Sequence, residues 1–439
     1  TFDMQAIYRS VVLDDAASRG TTLVDVDGNR FLDLFSSFAL GALGYNHPAI
    51  RAVVESPAFA AASANPTSTP FVTTPLWFDL MERLQIHAPA GMSRVYCVDA
   101  GGEGVESALK VAFIKHGEAR RRAAGLPVNP LEAGDDAQRA WMDNVGTDAV
   151  IVSFAGAFHG RGLGPLSATH SKVIHKADLP AFPWPTVPFP ASRWPLDVYA
   201  AENAAAEQAS LDELDRVLDA HAGRVAAIIV EPMQSEGGDR HASPAFFRGV
   251  QARAKAAGAS FILDEVQTGM GISGTFWLHE QLDLPEPPSM VTFGKKMQIG
   301  GFFAAPSHDV RQFGRMYQTR NGDRARVMIG VAVLEAIARD GLLGRVRDVG
   351  AHLLSGLQEL ERRHPALVSQ ARGRGFLLAF DLPTVASRDA FLQAALRRGV
   401  FATYTGARSV RLRPHLITSR ADVDLALGVF DATLRELHP

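Results

Sequence analysis

Short, mostly apolar runs of strand length recur through the middle of the chain, separated by longer amphipathic stretches. Residues 149–154, 225–230, 260–266 and 290–293 each read as a strand without polar alternation, the pattern of a strand covered on both faces. Between them, 244–258 sets Phe246, Phe247, Val250 and Ala254 at helical spacing. Strand, helix, strand in close succession predicts parallel strands with helices on both faces of a sheet. Ligands of such sheets sit beyond the carboxyl ends of the strands, which directs attention to Glu231, Asp264, Glu265, Gly294, Lys295 and Lys296. The ends of the chain differ. Residues 22–34 hold two short alternating strands joined at Asp27-Gly28. From about Val327 a helix runs through Leu334 and Ile337, and a second covers 346–362. Strands are expected at 375–382 and 409–413, with a closing helix from Ala421, so the tail reads as a separate α+β unit.

Composition narrows the function classes. With 439 residues, 47% hydrophobic and 21% charged, the chain is an ordinary globular protein of two or three domains. Its 44 Lys+Arg and 47 Asp+Glu give a formal charge of −3, which argues against a nucleic-acid partner bound through a basic field. Cys97 is the only cysteine, so neither an intrachain disulfide nor a multi-thiolate metal site within one chain is available. No P-loop, H-E-x-x-H or C-x-x-C pattern occurs, and no metal is expected. No apolar run approaches membrane-spanning length, so no membrane partner is expected. The proline-rich stretch 180–195 carries Phe and Trp and is expected to pack on the surface. The expected compartment is the cytoplasm, with the mitochondrial matrix open because the sequence begins at Thr1 without a methionine.

Several segments carry candidate chemistry, each beside a plainer explanation. Gly269–Gly274 matches G-x-G-x-x-G after a strand, but that strand ends in Asp264-Glu265 and no long helix follows, which weighs against a dinucleotide site. Lys295 and Lys296 are either a solvated pair or include an amine held at a strand end for attack on a carbonyl. Asp264, ending an apolar strand, needs a partner: a structural cation, a helix N-terminus or a protonated heterocycle nitrogen. Ala100-Gly101-Gly102-Glu103-Gly104 leads into the helical run 105–116, as a helix cap or a phosphate cradle. In 157–161, Phe158 could stack on a flat ring and Arg161 could fork a carboxylate; a surface turn with a core phenylalanine explains them equally. Arg411 and Arg413 share one face of a strand, either a solvated edge or a carboxylate site.

Together these segments resemble a known family. Asp264-Glu265-Val266-Gln267-Thr268-Gly269, then Phe293-Gly294-Lys295-Lys296 and Gly300-Gly301, are similar to the signature of class III (ornithine and ω-amino acid type) pyridoxal phosphate (PLP)-dependent aminotransferases. The stretches 22–30, 156–176 and 229–247 resemble the eukaryotic-type 4-aminobutyrate branch of that family. The resemblance covers nearly the whole chain. It implies an α/β, type I PLP-aminotransferase fold: a segment 1–55 packing with a small domain, a large PLP-binding domain 56–325 with a mostly parallel sheet, and a small α+β domain 326–439.

It also implies roles. Lys295 would hold the cofactor covalently and act as base and acid. Asp264 would face the pyridinium nitrogen, Gln267 the phenolic oxygen and Phe158 the ring face. Gly101 and Gly102 would meet the phosphate, joined by Thr319 from the neighbouring subunit of a homodimer. Arg161 would hold the distal carboxylate and Arg411 the α-carboxylate, with Glu236 neutralising Arg411 when a substrate lacks that group. Glu231 would be a second acid at the site. The implied reaction is ping-pong transfer from an ω-amino acid, 4-aminobutyrate foremost, to 2-oxoglutarate, giving succinate semialdehyde and glutamate.

Three features depart from the family pattern. Ala100 and Glu103 stand where animal members carry cysteines for an iron–sulfur cluster, so none is expected. Arg320-Asn321 follow Thr319 in place of a tryptophan and an apolar residue, and Phe38, near the substrate channel by position, is bulkier than the usual aliphatic side chain. An L-lysine 6-aminotransferase shares most of the motifs and is the nearest alternative. A non-catalytic binding protein of the same fold and a nicotinamide dehydrogenase using the 269–274 glycines are more distant ones.

Overall fold

A computed structural model describes residues 11–65, 71–143 and 147–437; residues 1–10 of the N-terminal segment lie outside it. The chain gathers into two compact units. One holds the described residues up to Ala64, Gly269–Phe276 and those from Met328 onward; the other holds Asn65–Thr268 and Trp277–Val327.

The second unit is built on a seven-stranded sheet. Its order is Arg94–Val98, Gly300–Ala304, Met290–Phe293, Ser260–Asp264, Val225–Val230, Val150–Phe154, Thr186–Val187. Only Gly300–Ala304 runs antiparallel to its neighbours; the rest share one direction. The apolar runs form strands because both faces are covered: every residue of the 150–154, 225–230, 260–264 and 290–293 strands is buried. Helix Gly101–Ala123 lays Val105, Ala108, Leu109 and Ala112 against Ile151, Ile229, Ile262 and Phe302. Helix Pro244–Ala256, capped by Ser243, buries Phe246, Phe247, Val250 and Ala254, and each such phenylalanine contributes about 2 kcal/mol. The proline-rich stretch is packed: Thr186–Val187 extends the sheet, and Trp184 stacks on Phe182 at 5.0 Å.

Shared direction puts the carboxyl ends of the parallel strands along one edge, where Gly101, Glu231, Asp264 and Lys295 follow or end their strands. The 260–266 run stops as a strand at Asp264, because the Asp264 carboxylate accepts the Val266 N–H (3.1 Å) and curls the chain. Glu265 points away from that edge. It accepts from Thr268 Oγ1 (2.7 Å), Leu278 N (3.0 Å) and His279 N (2.7 Å), and so clamps the base of the excursion 269–276.

Close approach of backbone explains the glycine pair after the lysines. A Cβ on Gly104 would lie 2.6 Å from the Gly301 carbonyl oxygen, so the helix can sit on this strand only without side chains there. Gly104→Ala is therefore expected to lower stability by about 1–3 kcal/mol, the range for overpacking a tight interior. Chemical denaturation would read the loss, with Gly117→Ala in the same helix, where the nearest atom is the flexible end of Arg121, as a neutral control.

The first unit holds a three-stranded sheet of Thr22–Val24, Arg30–Asp33 and Val400–Phe401, and a four-stranded antiparallel sheet. The latter runs in the order Ser369–Arg374, Leu377–Asp381, Ser409–Leu412, Thr403–Thr405. Helices Leu342–Arg363, Val385–Arg397 and Arg420–Leu437 complete it. The Gly269–Gly274 motif serves packing in this unit. Gly271 and Gly274 take φ of +91° and +90°, and a Cβ on Gly274 would meet Arg347 at 2.6 Å. No α-helix opens after it; a short 3-10 turn, Leu278–Gln281, comes next, so the geometry of a dinucleotide loop is missing. Among the described residues no helix is long and apolar enough to cross a membrane.

Candidate active site

A cavity of about 220 Å3 opens at the carboxyl edge of the sheet in the second unit. It is lined by Gly101, Gly102, Phe158, Glu231, Glu236, Asp264, Gln267 and Lys295, with His159 beside them. A larger groove of about 670 Å3 in the same unit holds none of these groups.

The two adjacent lysines separate cleanly. Gly294 is extended, and Lys295 then takes φ of 48°, a left-handed conformation that a non-glycine residue keeps only under constraint. Lys295 lines the cavity. Lys296 is turned inward, 1% exposed, and donates to the Gln267 carbonyl at 2.8 Å. The solvated-pair explanation fails for Lys296 because its ammonium serves a backbone carbonyl beneath the site.

Asp264 is the most constrained group. Its Oδ1 accepts from Thr292 Oγ1 (2.9 Å) and Val266 N, and its Oδ2 accepts from His159 Nδ1 at 2.8 Å. Donors on both oxygens fix its plane. His159 is itself placed by its backbone N–H, which donates to Thr169 Oγ1 (2.9 Å). With Nδ1 donating to a carboxylate, the buried Nε2 has no protein partner. Sequence reasoning passed over His159. Nothing in the local sequence distinguishes it from a core histidine, since its partner is 105 positions away.

The acids after strand 225–230 differ in character. Glu231 is fully enclosed and accepts from Phe158 N (3.0 Å) and Ser235 N (3.3 Å). Burial pushes its carboxyl well above the usual range, and the charge of Asp264 adds to the rise. Glu236 forms an ion pair with Lys172, Oε2 to Nζ 2.9 Å. Phe158, anchored through its backbone to Glu231, meets the His175 ring edge-on at 5.4 Å.

Helix Gly101–Ala123 opens on the cavity with no side-chain cap from Ala100, leaving its first N–H groups turned toward the space. A Cβ on Gly101 would lie 2.8 Å from Val266 Cγ1, so a side chain there would close the gap. Arg161 and Thr319 are exposed and do not line this cavity. Arg411 and Phe38 belong to the first unit. Arg411 lies in the central part of the four-stranded sheet and is 1% exposed, which overturns the solvated-edge explanation of the 409–413 strand.

A fixed carboxylate, an amine on a strained backbone, an aromatic face and an uncapped helix start are what a phosphorylated pyridine aldehyde requires. The residues present fit pyridoxal phosphate.

Comparison with known proteins agrees. The family described as aminotransferase class-III matches residues 5–434. The mitochondrial 4-aminobutyrate aminotransferase of Mus musculus is 38% identical over 423 residues, 95% of this chain and 84% of that protein. The 4-aminobutyrate aminotransferase of Dictyostelium discoideum is 38% identical over 427 residues, 97% of this chain and 85% of the other. Among solved structures, a lysine aminotransferase from M. tuberculosis in the internal aldimine form superposes with a TM-score of 0.87, at 32% identity and covering 99% of each chain. The cavity geometry and these likenesses lead to one assignment: the chain belongs to the class III aminotransferases, PLP-dependent enzymes.

Proposed function

We propose that the enzyme carries the amino group of 4-aminobutyrate to 2-oxoglutarate in two alternating half-reactions, releasing succinate semialdehyde and then glutamate. The observation that carries this is the meeting in one cavity of Lys295, on its left-handed turn, with the threefold-bonded carboxylate of Asp264. The donor is supported by the 4-aminobutyrate relatives, which align over nearly the whole chain.

Lys295 Nζ would hold the cofactor, with the Asp264 carboxylate as the partner for its ring nitrogen. Gln267 would serve the phenolic oxygen, Phe158 one ring face, and the N–H groups of Gly101 and Gly102 the phosphate. When bound, pyridoxal phosphate supplies the electron sink that lets the carbon bearing the amine give up a proton. Lys295 Nζ, a free amine once the substrate amine has taken its place, accepts that proton and later donates it. Glu231 fixes the Phe158 backbone by accepting its N–H. Arg161 holds the distal carboxylate, and Arg411 the α-carboxylate of the 2-oxo acid. Glu236 offsets Arg411 when the donor has no α-carboxylate, since an unpaired buried guanidinium is costly.

A homodimer belongs to the same proposal. Phe71, Phe78 and Phe313 are largely exposed, and the 670 Å3 groove they adjoin is lined by Trp77, Met81 and Tyr317. An apolar patch of this kind marks an association surface. Thr319 is exposed two residues beyond Tyr317, so the partner subunit's Thr319 would complete the phosphate site.

The test is the visible absorption of the purified enzyme with PLP. The band is expected to vanish on adding 4-aminobutyrate and to return with 2-oxoglutarate. A band that ignores 4-aminobutyrate and responds to L-lysine would replace the donor with lysine, the second reading, which the likeness to a lysine aminotransferase favours. Absence of any band would end both.

A further inference from the structure

Residues Ser36, Ser37, Phe38 and Ala39 form a turn in which every residue is left-handed, with φ of 42°, 50°, 60° and 64°. L-residues avoid this conformation because Cβ crowds the following carbonyl, and a run of four without glycine persists only where the surroundings over-determine it. The turn presents Phe38, 45% exposed, so that the Arg411 guanidinium lies over its ring at 5.2 Å. Phe35 meets the Phe38 ring edge-on at 4.5 Å and rests in turn on Phe401.

What holds the turn is a buried polar cluster. Asp33 Oδ1 accepts the N–H groups of Phe35 (2.7 Å) and Ser36 (3.0 Å), fixing the entry. Asp33 Oδ2 accepts from Tyr45 Oη (2.8 Å) and His415 Nε2 (3.1 Å), while His415 Nδ1 donates to the carbonyl of Gly41 at the exit. Ser36 Oγ donates to the Arg413 carbonyl at 2.7 Å, and Arg413 N to the Leu34 carbonyl at 2.7 Å. The turn is thus sewn at both ends to the segment that carries Arg411. The site chemistry described above uses none of Asp33, Tyr45 or His415.

We propose that Asp33, Tyr45 and His415 are positioning residues that lock the left-handed turn so that Phe38 is seated on Arg411, and that this seat sets how tightly the enzyme takes the α-carboxylate of its 2-oxo acid acceptor. With one face of the guanidinium covered, a carboxylate approaches through the N–H edge, in the plane that favours a bidentate pair. The inference rests on the assignment of Arg411 to the acceptor's α-carboxylate.

The experiment measures each half-reaction separately by single-turnover absorption, with 4-aminobutyrate and then with 2-oxoglutarate, in Arg411→Gln, Phe38→Ala, Phe38→Tyr and Tyr45→Phe. Loss of the cation–π contact in Phe38→Ala is expected to raise the apparent KM for 2-oxoglutarate about 5-fold with little change in limiting rate, and Phe38→Tyr to restore it. Tyr45→Phe removes one hydrogen bond and is expected to raise the same KM about 3-fold, leaving the 4-aminobutyrate half-reaction unchanged. If Arg411→Gln leaves the 2-oxoglutarate half-reaction intact, the assignment of Arg411 falls and the inference with it. If Arg411→Gln impairs that half-reaction while Phe38→Ala and Tyr45→Phe spare it, or slow both half-reactions equally, the inference alone is overturned.

Discussion

Lys295→Ala is expected to reduce turnover by at least about a thousandfold, since it removes the group proposed both to hold the cofactor and to move the proton. The visible absorption of bound PLP should disappear with it. The adjacent residue supplies the control. Lys296→Met keeps an unbranched side chain, one atom shorter, but takes a buried ammonium from the Gln267 carbonyl. Leaving that carbonyl without its donor costs about 1–3 kcal/mol, so Lys296→Met should fall in stability while keeping its visible band. Absorption spectra and denaturation curves of the two variants side by side decide the matter. A band retained in Lys295→Ala and lost in Lys296→Met would exchange the two assignments.

The contrast between these neighbours shows what a sequence makes legible. Gly294-Lys295-Lys296 announces a lysine at a strand end, because the apolar run 290–293 stops there. Which lysine faces the cavity is decided by the backbone: the positive φ at Lys295 turns the next side chain toward Gln267. The central strands were readable for a similar reason. Double-sided burial writes itself as an unbroken apolar run, so 225–230 and 290–293 coincide with the observed strands. Strand Gly300–Ala304 was hidden because its first two residues are glycines, which signal a turn locally but here permit contact with the helix start.

Features set by contacts between distant residues were not legible. Ser36-Ser37-Phe38-Ala39 carries no glycine or asparagine, so no local rule predicts four left-handed residues. Isolated, such a turn would cost about 1–2 kcal/mol per residue. It exists because Asp33 meets His415, 382 positions away. Arg411 likewise looked like one of two arginines on an edge strand. Its burial follows from Ser409–Leu412 lying between Leu377–Asp381 and Thr403–Thr405, an order that strand patterning leaves open.

Asp264 and His159 make the second large prediction. Asp264→Asn is expected to lower the rate of both half-reactions by roughly 10²–10³-fold, the range for removing one preorganised charge from a water-excluded site. Part of that loss is electrostatic, because the amide carries no charge to hold a proton on a ring nitrogen. Part is geometric. Thr292 Oγ1, Val266 N and His159 Nδ1 all donate to the carboxylate, and an amide places an NH2 group against at least one of these donors. His159→Ala should act through Asp264 alone, releasing Oδ2 while leaving the charge, and cost about tenfold or less because a single orienting hydrogen bond is lost. Since the two side chains work as one unit, the double variant should be no slower than Asp264→Asn. Half-reaction rates for the four members of this cycle test the coupling. Fully additive losses would mean that His159 serves the site by another route than its hydrogen bond to Asp264.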